Sequence, residues 1–465
     1  MSSAKIAVVY STLGQYSVQF LALIGTIIYS RLLPPTEIGY FVVANGIFAI
    51  TNEFRSLGVG SYITRQQTMD SEEIQRILST CYIFSVSILL AINAACISLR
   101  NFTTDYQTSE ILQILSIPLL YGPVAIVSSA ILARNMAFKR LFFARLAMAI
   151  CSLASGVGLV FAGFGAYGLA IAAVVGSLAE FFVLSTSHAF TTHSMPKLRF
   201  DMRFFRFGLN IAAINSMGKI QSEAPVIWIG HLGASGDAAL FSRGQSLLRM
   251  VAELILKGVR PVALPYLSAH ASEPIERRFM RLSLATGMLV LPTITLMTVC
   301  SSEIVRILFG DEWLGSVDVA VLLGISHLVG QWLPLSGAYL IKTNQESFLF
   351  RLSILVTVST IIACPIGYLT GGLMGACVPV VCIRLMEMVL TALKISNDTE
   401  LALKDALAFM GPAYLASSAV LAVALVTKSQ LNPENSAITD LVIITTACIP
   451  AWLLISYKEV KKILH

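Results

Sequence analysis

Charge is what this sequence has least of. Asp, Glu, Lys and Arg make up 12% of its 465 residues, against about 25% in an ordinary soluble domain. A chain so poor in charge and 56% hydrophobic has no water-facing surface over most of its length. That excludes a soluble protein and indicates an integral membrane protein. Other absences narrow the chemistry. There is no G-x-x-x-x-G-K-[ST] run, so the chain does not hydrolyse ATP by itself. There is no H-E-x-x-H. His188, His193, His231, His270, His327 and His465 are scattered, and no nucleophile–base set is visible. No enzyme, cofactor or metal site is therefore expected. His327 lies in an apolar run, where a hydrogen-bonded packing role is expected. The eight cysteines all fall in apolar runs and read as small buried hydrophobes. The opening MSSAKIAVVYSTLGQYSVQF lacks the small-residue cleavage site of a signal peptide, so the first span is expected to stay as an anchor.

What is present is a near-continuous series of apolar runs. They lie near 8–30, 38–57, 77–99, 111–133, 142–163, 166–187, 207–230, 238–258, 282–301, 317–341, 348–369, 373–394, 407–427 and 437–457. Each has about the 20 residues that a membrane helix needs. The expected fold is an all-α membrane protein of about 14 transmembrane helices. An even number puts both termini on one side. With that side cytoplasmic, 24 of the 32 Lys and Arg fall in cytoplasmic segments, four outside and four at membrane depth. Such a bias is an orientation signal, and a nucleic-acid partner is not expected. No connection is long enough to form an extramembrane domain. The segment Ser301–Ser316 is amphipathic and reads as an outer interfacial corner anchored by Trp313.

The chain repeats itself. At an offset of 200, Leu32 faces Leu232, Glu37 faces Asp237, Phe41 faces Phe241, Glu53 faces Glu253 and Gly58 faces Gly258. At an offset of 207, Gly168 faces Gly375, Leu178 faces Leu385 and Glu180 faces Glu387. The unit is six spans. Parallel repeats of this kind place a transporter's site between two halves. The expected organisation is an N-lobe over 1–200, a C-lobe over 201–396 and an added hairpin over 397–465. The basic connection His188–Gly208 would join the lobes.

Against this apolar background the polar residues are few and ordered. Asn215, Lys219 and Glu223 follow one i, i+4 stripe, as do Gln15 and Gln19. Arg249, Glu253 and Lys257 also step by four, and Arg384 stands three before Glu387. A charge at bilayer centre costs roughly 2.5–3.5 kcal/mol on insertion scales, so each needs water or a partner. Pairing along a helix is the structural alternative for Lys219, Arg249 and Arg384, and Lys257 and Arg260 are expected to snorkel to the interface. Arg243 has no acid one turn away. Lys219, Arg243, Arg249 and Arg384 together predict a positive cavity for an anionic substrate. Arg suits phosphate, because its fork binds two oxygens at once. Gln15, Gln19, Asn45, Asn215 and Gln245 are candidate contacts to sugar hydroxyls, and Glu53, Glu223 and Glu253 candidate ion-coupling groups.

Three stretches carry a family resemblance. YSRLLPPTEIGYFVVANGIFAITNEFRSLGVGSYITRQ (Tyr29–Gln66), FSRGQSLLRMVAELILKGVRPVALPYLSA (Phe241–Ala269) and ILFGDEWLGSVDVAVLLGISHLVGQWLPLSGAYLIKTNQ (Ile307–Gln345) resemble the bacterial Wzx-type polysaccharide exporters, in the superfamily that also holds the MATE drug exporters. The resemblance implies a two-lobed, V-shaped fold and alternating access. It implies that an oligosaccharide on undecaprenyl pyrophosphate is flipped to the periplasmic leaflet of the bacterial inner membrane, for surface polysaccharide, exopolysaccharide or lipopolysaccharide. The bilayer, a polysaccharide polymerase and a chain-length regulator are the implied partners. The alternative is a MATE-like antiporter for organic cations, which needs an acidic cavity. A polymerase or ligase would need a sizeable outer loop, and a scaffold leaves the membrane cations unexplained.

Overall fold

The computed structural model describes residues 3–66, 70–99, 106–186, 200–268, 273–398, 401–431 and 435–464. Most of the expected basic connection from His188 onward lies outside them. Among the described residues the chain is helix and short connections, with no strand. In the first half the helices are α1 (Ser3–Leu32), α2 (Pro35–Ser56), α3 (Val59–Arg65), α4 (Ser71–Leu99), α5 (Tyr106–Ser116), α6 (Gly122–Arg134), α7 (Phe138–Phe161), α8 (Gly165–Ser185) and α9 (Met202–Leu232). Then follow α10 (Ser235–Ser268), α11 (Ile275–Val299), α12 (Ser301–Leu308), α13 (Ser316–Gly330), α14 (Ser336–Lys342), α15 (Glu346–Asp398), α16 (Leu403–Gln430) and α17 (Ala437–Leu464).

Seven of these helices are long and apolar enough to cross a membrane, or eight if the bent pair α5–α6 forms one span. The long helices that fall short are α1, α2, α9 and α10. They carry all of the amides and most of the charges picked out above; Arg384 and Glu387 lie on α15. The bend between α5 and α6 is 50°. α15 is broken at Gly371 and Gly372, and Gly372 takes a left-handed φ of 58°, a region glycine enters without the Cβ clash. The backbones of Gly367 and Gly375 touch there. Eight residues of unbroken helix would rise about 12 Å, so the chain doubles back at this point.

Local signals set the helix ends. Pro35 opens α2 at the position where a missing N–H costs least. Asp201 caps α9, accepting from the backbone N–H of Arg203 and Phe204 at 2.9 and 3.0 Å. Glu37 accepts from the Ala166 N–H at 2.8 Å, placing its charge at the N-terminus of α8.

Packing divides the chain into two compact units, Met1–Ala239 and Leu240–His465. The first takes in α9, which the repeat assigned to the second lobe, because α9 lies along α2. Glycines make that seam. A side chain on Gly230 would enter Val43, and one on Gly208 would meet the Leu57 carbonyl at 2.6 Å. Between membrane helices, close backbone approach replaces the hydrophobic effect as the source of cohesion. The first unit also pairs α1 with α7 and α7 with α8; the second pairs α11 with α16, α16 with α17, and α13 with α15.

The corner at α12 is closed by one lysine. Lys428 Nζ donates to the Val299 carbonyl at 2.9 Å and to Ser302 Oγ at 2.9 Å, and stands 2.9 Å from Glu303 Oε1. Burial pushes the Glu303 carboxyl up, but the bonds from Lys428, its own backbone N–H and Ser302 outweigh it and hold it below the usual carboxylate range. Trp313 is not an interfacial anchor. It is fully buried, because its ring covers a guanidinium described below.

Two outcomes are expected. Gly230→Leu wedges α9 from α2 and should cost the folded protein, read as loss of the monodisperse peak on size exclusion in detergent; Gly218→Leu, at a position facing open space, should leave it intact. The second follows from the depressed carboxyl of Glu303. A group of this kind stabilises the fold above its unfolded value of about 4.3, and that contribution drains away as pH falls below it. Thermal unfolding should therefore show an acid-side loss below about pH 4.3 that Glu303→Gln removes.

Candidate functional site

The second unit gathers six charged or titratable side chains from three helices. On α10, Glu253 lies 3.9 Å from Arg249 and 3.2 Å from Lys257. On α15, Arg384 is ion-paired with Glu387. His327 of α13 is half-buried, next to Leu328, which packs against the cluster holding Ala252 and Leu256 of α10. The Arg384 side chain crosses Gly330, its Cδ 3.8 Å from where a side chain there would begin. Three cations against two carboxylates leave one surplus positive charge. The ion-paired side chains are 33–41% exposed. Pairs this open are weak, so an incoming anion can displace a carboxylate from its cation.

The other residues predicted from the sequence are distributed differently. Arg243 does not join the group. It is 9% exposed, and its guanidinium lies 5.7 Å from the Phe309 ring and 5.3 Å from the Trp313 ring. That is a cation–π enclosure inside the corner, a packing role rather than an open contact. Gln245 is half-buried two residues further along α10. In the first unit, Asn215 is exposed and Lys219 half-buried on α9; Lys219 makes no ion pair among the described residues. One turn on, Glu223 accepts from Ser222 Oγ at 3.2 Å. Its Oε2 lies 3.5 Å from where a side chain on Gly46 would begin, so it fills the seam between α9 and α2. Asn45 is exposed and Glu53 half-buried on α2. On α1, Gln19 is half-buried, and Gln15 lines a cleft of about 340 Å³ with Tyr10, Ser129 and Arg145.

Three residues were not legible as site members. His327 reads as a packing histidine and is half-buried, on the stretch of α13 that meets α10 and α15. Lys257 looked interfacial, yet it shares Glu253. Arg55 counted only as an inner-side charge. It is 8% exposed, bonded to Asn52 and set against Gly122 at the α5–α6 bend, and its Nε and Nη1 lack hydrogen-bond partners. The Asn52–Arg55 spacing of three was the available signal. All eight cysteines are free thiols, six of them buried. Among the described residues no group of His, Cys, Asp and Glu is placed to hold a metal ion.

The fold has known counterparts. The lipid II flippase MurJ, in an inward closed conformation, aligns over 98% of this chain and 100% of its own, with 14% identity and a TM-score of 0.76. A MOP superfamily transporter from Pyrococcus furiosus, described as having a binding pocket of reverse polarity, aligns over 87% of this chain and 95% of its own, with 12% identity and a TM-score of 0.57. The eukaryotic MATE transporter AtDTX14 aligns over 88% and 98%, with 15% identity and a TM-score of 0.54. At these identities the likeness concerns the fold. No curated protein matches the sequence. Residues 28–318, more than half of the chain, match the family described as polysaccharide biosynthesis protein, and the chain belongs to that family.

Proposed function

We propose that this protein is a flippase for a lipid-linked oligosaccharide, in which a phosphate-bearing head group is drawn to the cations of the second unit. The observation that carries this reading is the surplus positive charge of Arg249, Lys257 and Arg384 over Glu253 and Glu387, on side chains open enough to exchange partners. An undecaprenyl pyrophosphate carrier supplies the complementary anion, and arginine's planar fork suits its oxygens. Lys219 is a further cation for phosphate. Gln19, Asn45, Asn215 and Gln245 are the proposed contacts to sugar hydroxyls. Glu253 serves as a shared counter-charge, while Glu53 and Glu223 remain the proposed coupling carboxylates. The fourteen-span, two-lobe plan, alternating access, cytoplasmic termini and the bacterial inner membrane belong to the same proposal. It is a carrier's chemistry, with no bond made or broken. An organic-cation antiporter is disfavoured, because the group repels its substrate.

Two tests apply. A deletion strain should accumulate full-length, cytoplasm-facing lipid-linked oligosaccharide and lose surface polysaccharide. Normal export with no such build-up would sink the reading. Replacing Arg384 by Gln should lower export about tenfold or more, the scale of a lost charged hydrogen bond, at unchanged protein level. The double variant Arg384→Gln/Glu387→Gln separates the roles. It removes the stranded carboxylate, so a purely structural pair would recover export, whereas a ligand contact stays impaired.

A further inference from the structure

Acid is missing from one whole side of the first unit. Helices α1, α3, α6 and α7 contain no Asp or Glu. Between Glu110 and Glu180 the sequence has none, while Arg134, Lys139, Arg140 and Arg145 lie there. These four helices enclose the cleft of about 340 Å³ introduced above, at the small end of the ligand-pocket range of about 300–1,000 Å³. Phe138, Leu141, Phe142 and Arg145 follow the i, i+3, i+4, i+7 spacing of one helix face and all line it. The Phe142 ring meets that of Tyr10 at 5.8 Å. The lining thus combines a cation, an amide (Gln15), hydroxyls (Tyr10, Ser129) and an apolar wall.

The cation of this cleft is open to a ligand. Arg145 is exposed, lines the cleft and makes no ion pair among the described residues. Its guanidinium fork is therefore available to a phosphate. The route of entry is through lipid. Val9, Leu13 and Phe143, chain neighbours of lining residues, are 49–52% exposed, and such side chains face hydrocarbon in a membrane helix.

We infer that this cleft binds the phosphate headgroup of an anionic membrane lipid taken from the surrounding bilayer. Arg145 is the phosphate ligand, Gln15, Tyr10 and Ser129 bond the neighbouring ester and hydroxyl oxygens, and the apolar wall covers the first carbons of the chains. The site shares no cation with the group assigned to transport, and its test reads lipid occupancy rather than export, so either proposal can fail without the other.

The test is native mass spectrometry of the full-length protein in detergent, with phosphatidylglycerol, phosphatidylcholine or inorganic phosphate added. The wild type should hold one phosphatidylglycerol about tenfold more tightly than phosphatidylcholine, the margin a charge-assisted phosphate contact supplies. Arg145→Gln should lose that preference and Arg145→Lys should keep part of it. Ser129→Phe, which fills the cleft and leaves the charge in place, should lose the bound lipid. Inorganic phosphate should not compete at millimolar levels; if it does, the site takes free phosphate and the lipid assignment is overturned. Unchanged phosphatidylglycerol binding in Ser129→Phe overturns the inference, and it decides alone should Arg145→Gln not fold.

Discussion

A charge held among hydrocarbon has to be neutralised, covered or wetted, and the architecture of this protein follows from how each charge meets that demand. The long apolar helices α4, α7, α8, α11, α16 and α17 pack mainly by shape complementarity. Helices α1, α2, α9 and α10 carry the candidate amides and most of the candidate site charges, and their surroundings are built accordingly. Arg243 is covered by aromatic faces. Arg249 and Lys257 divide one carboxylate between them. Lys428 spends its hydrogen bonds on a carbonyl, a hydroxyl and Glu303. Arg55 lies against a glycine at a helix bend. Glycines recur at these places because a guanidinium or a second backbone occupies the volume that a side chain would take.

The apolar runs read along the sequence fall on helix, with breaks where glycine and proline cluster, near 120, 331–335 and 371–372. That much is legible because hydrocarbon leaves the backbone no alternative to internal hydrogen bonding. The i, i+4 steps also gave the right neighbours within one helix, as Arg249–Glu253 and Arg384–Glu387 show. What spacing along one helix does not reveal is the helix that covers it. Arg243 seemed open because its cover, Phe309 and Trp313, arrives from a corner far along the chain. Trp313 seemed interfacial for the same reason. His327 carried no local sign of charge, since its neighbours belong to α10 and α15. The seam between α2 and α9 was invisible as well, being written in single glycines spread over both helices.

Two interruptions matter for movement. The 50° bend between α5 and α6 and the reversal at Gly371–Gly372 are points where the helical hydrogen-bond ladder is cut. Rigid helices meeting at such points can turn without breaking further bonds. The first holds a buried guanidinium, the second two glycine backbones in contact.

A carrier that held its cargo too firmly would stop. Under the proposed function, Glu253 and Glu387 are the tethered rivals of the cargo's phosphate: each is within reach of the cations whenever the ligand loosens, and needs no diffusion to arrive. Their presence lowers affinity at rest and quickens departure. The carboxylates beside the cations thereby set the dwell time of the cargo, and the same pairing that makes the membrane tolerate these arginines also keeps the protein from becoming a trap.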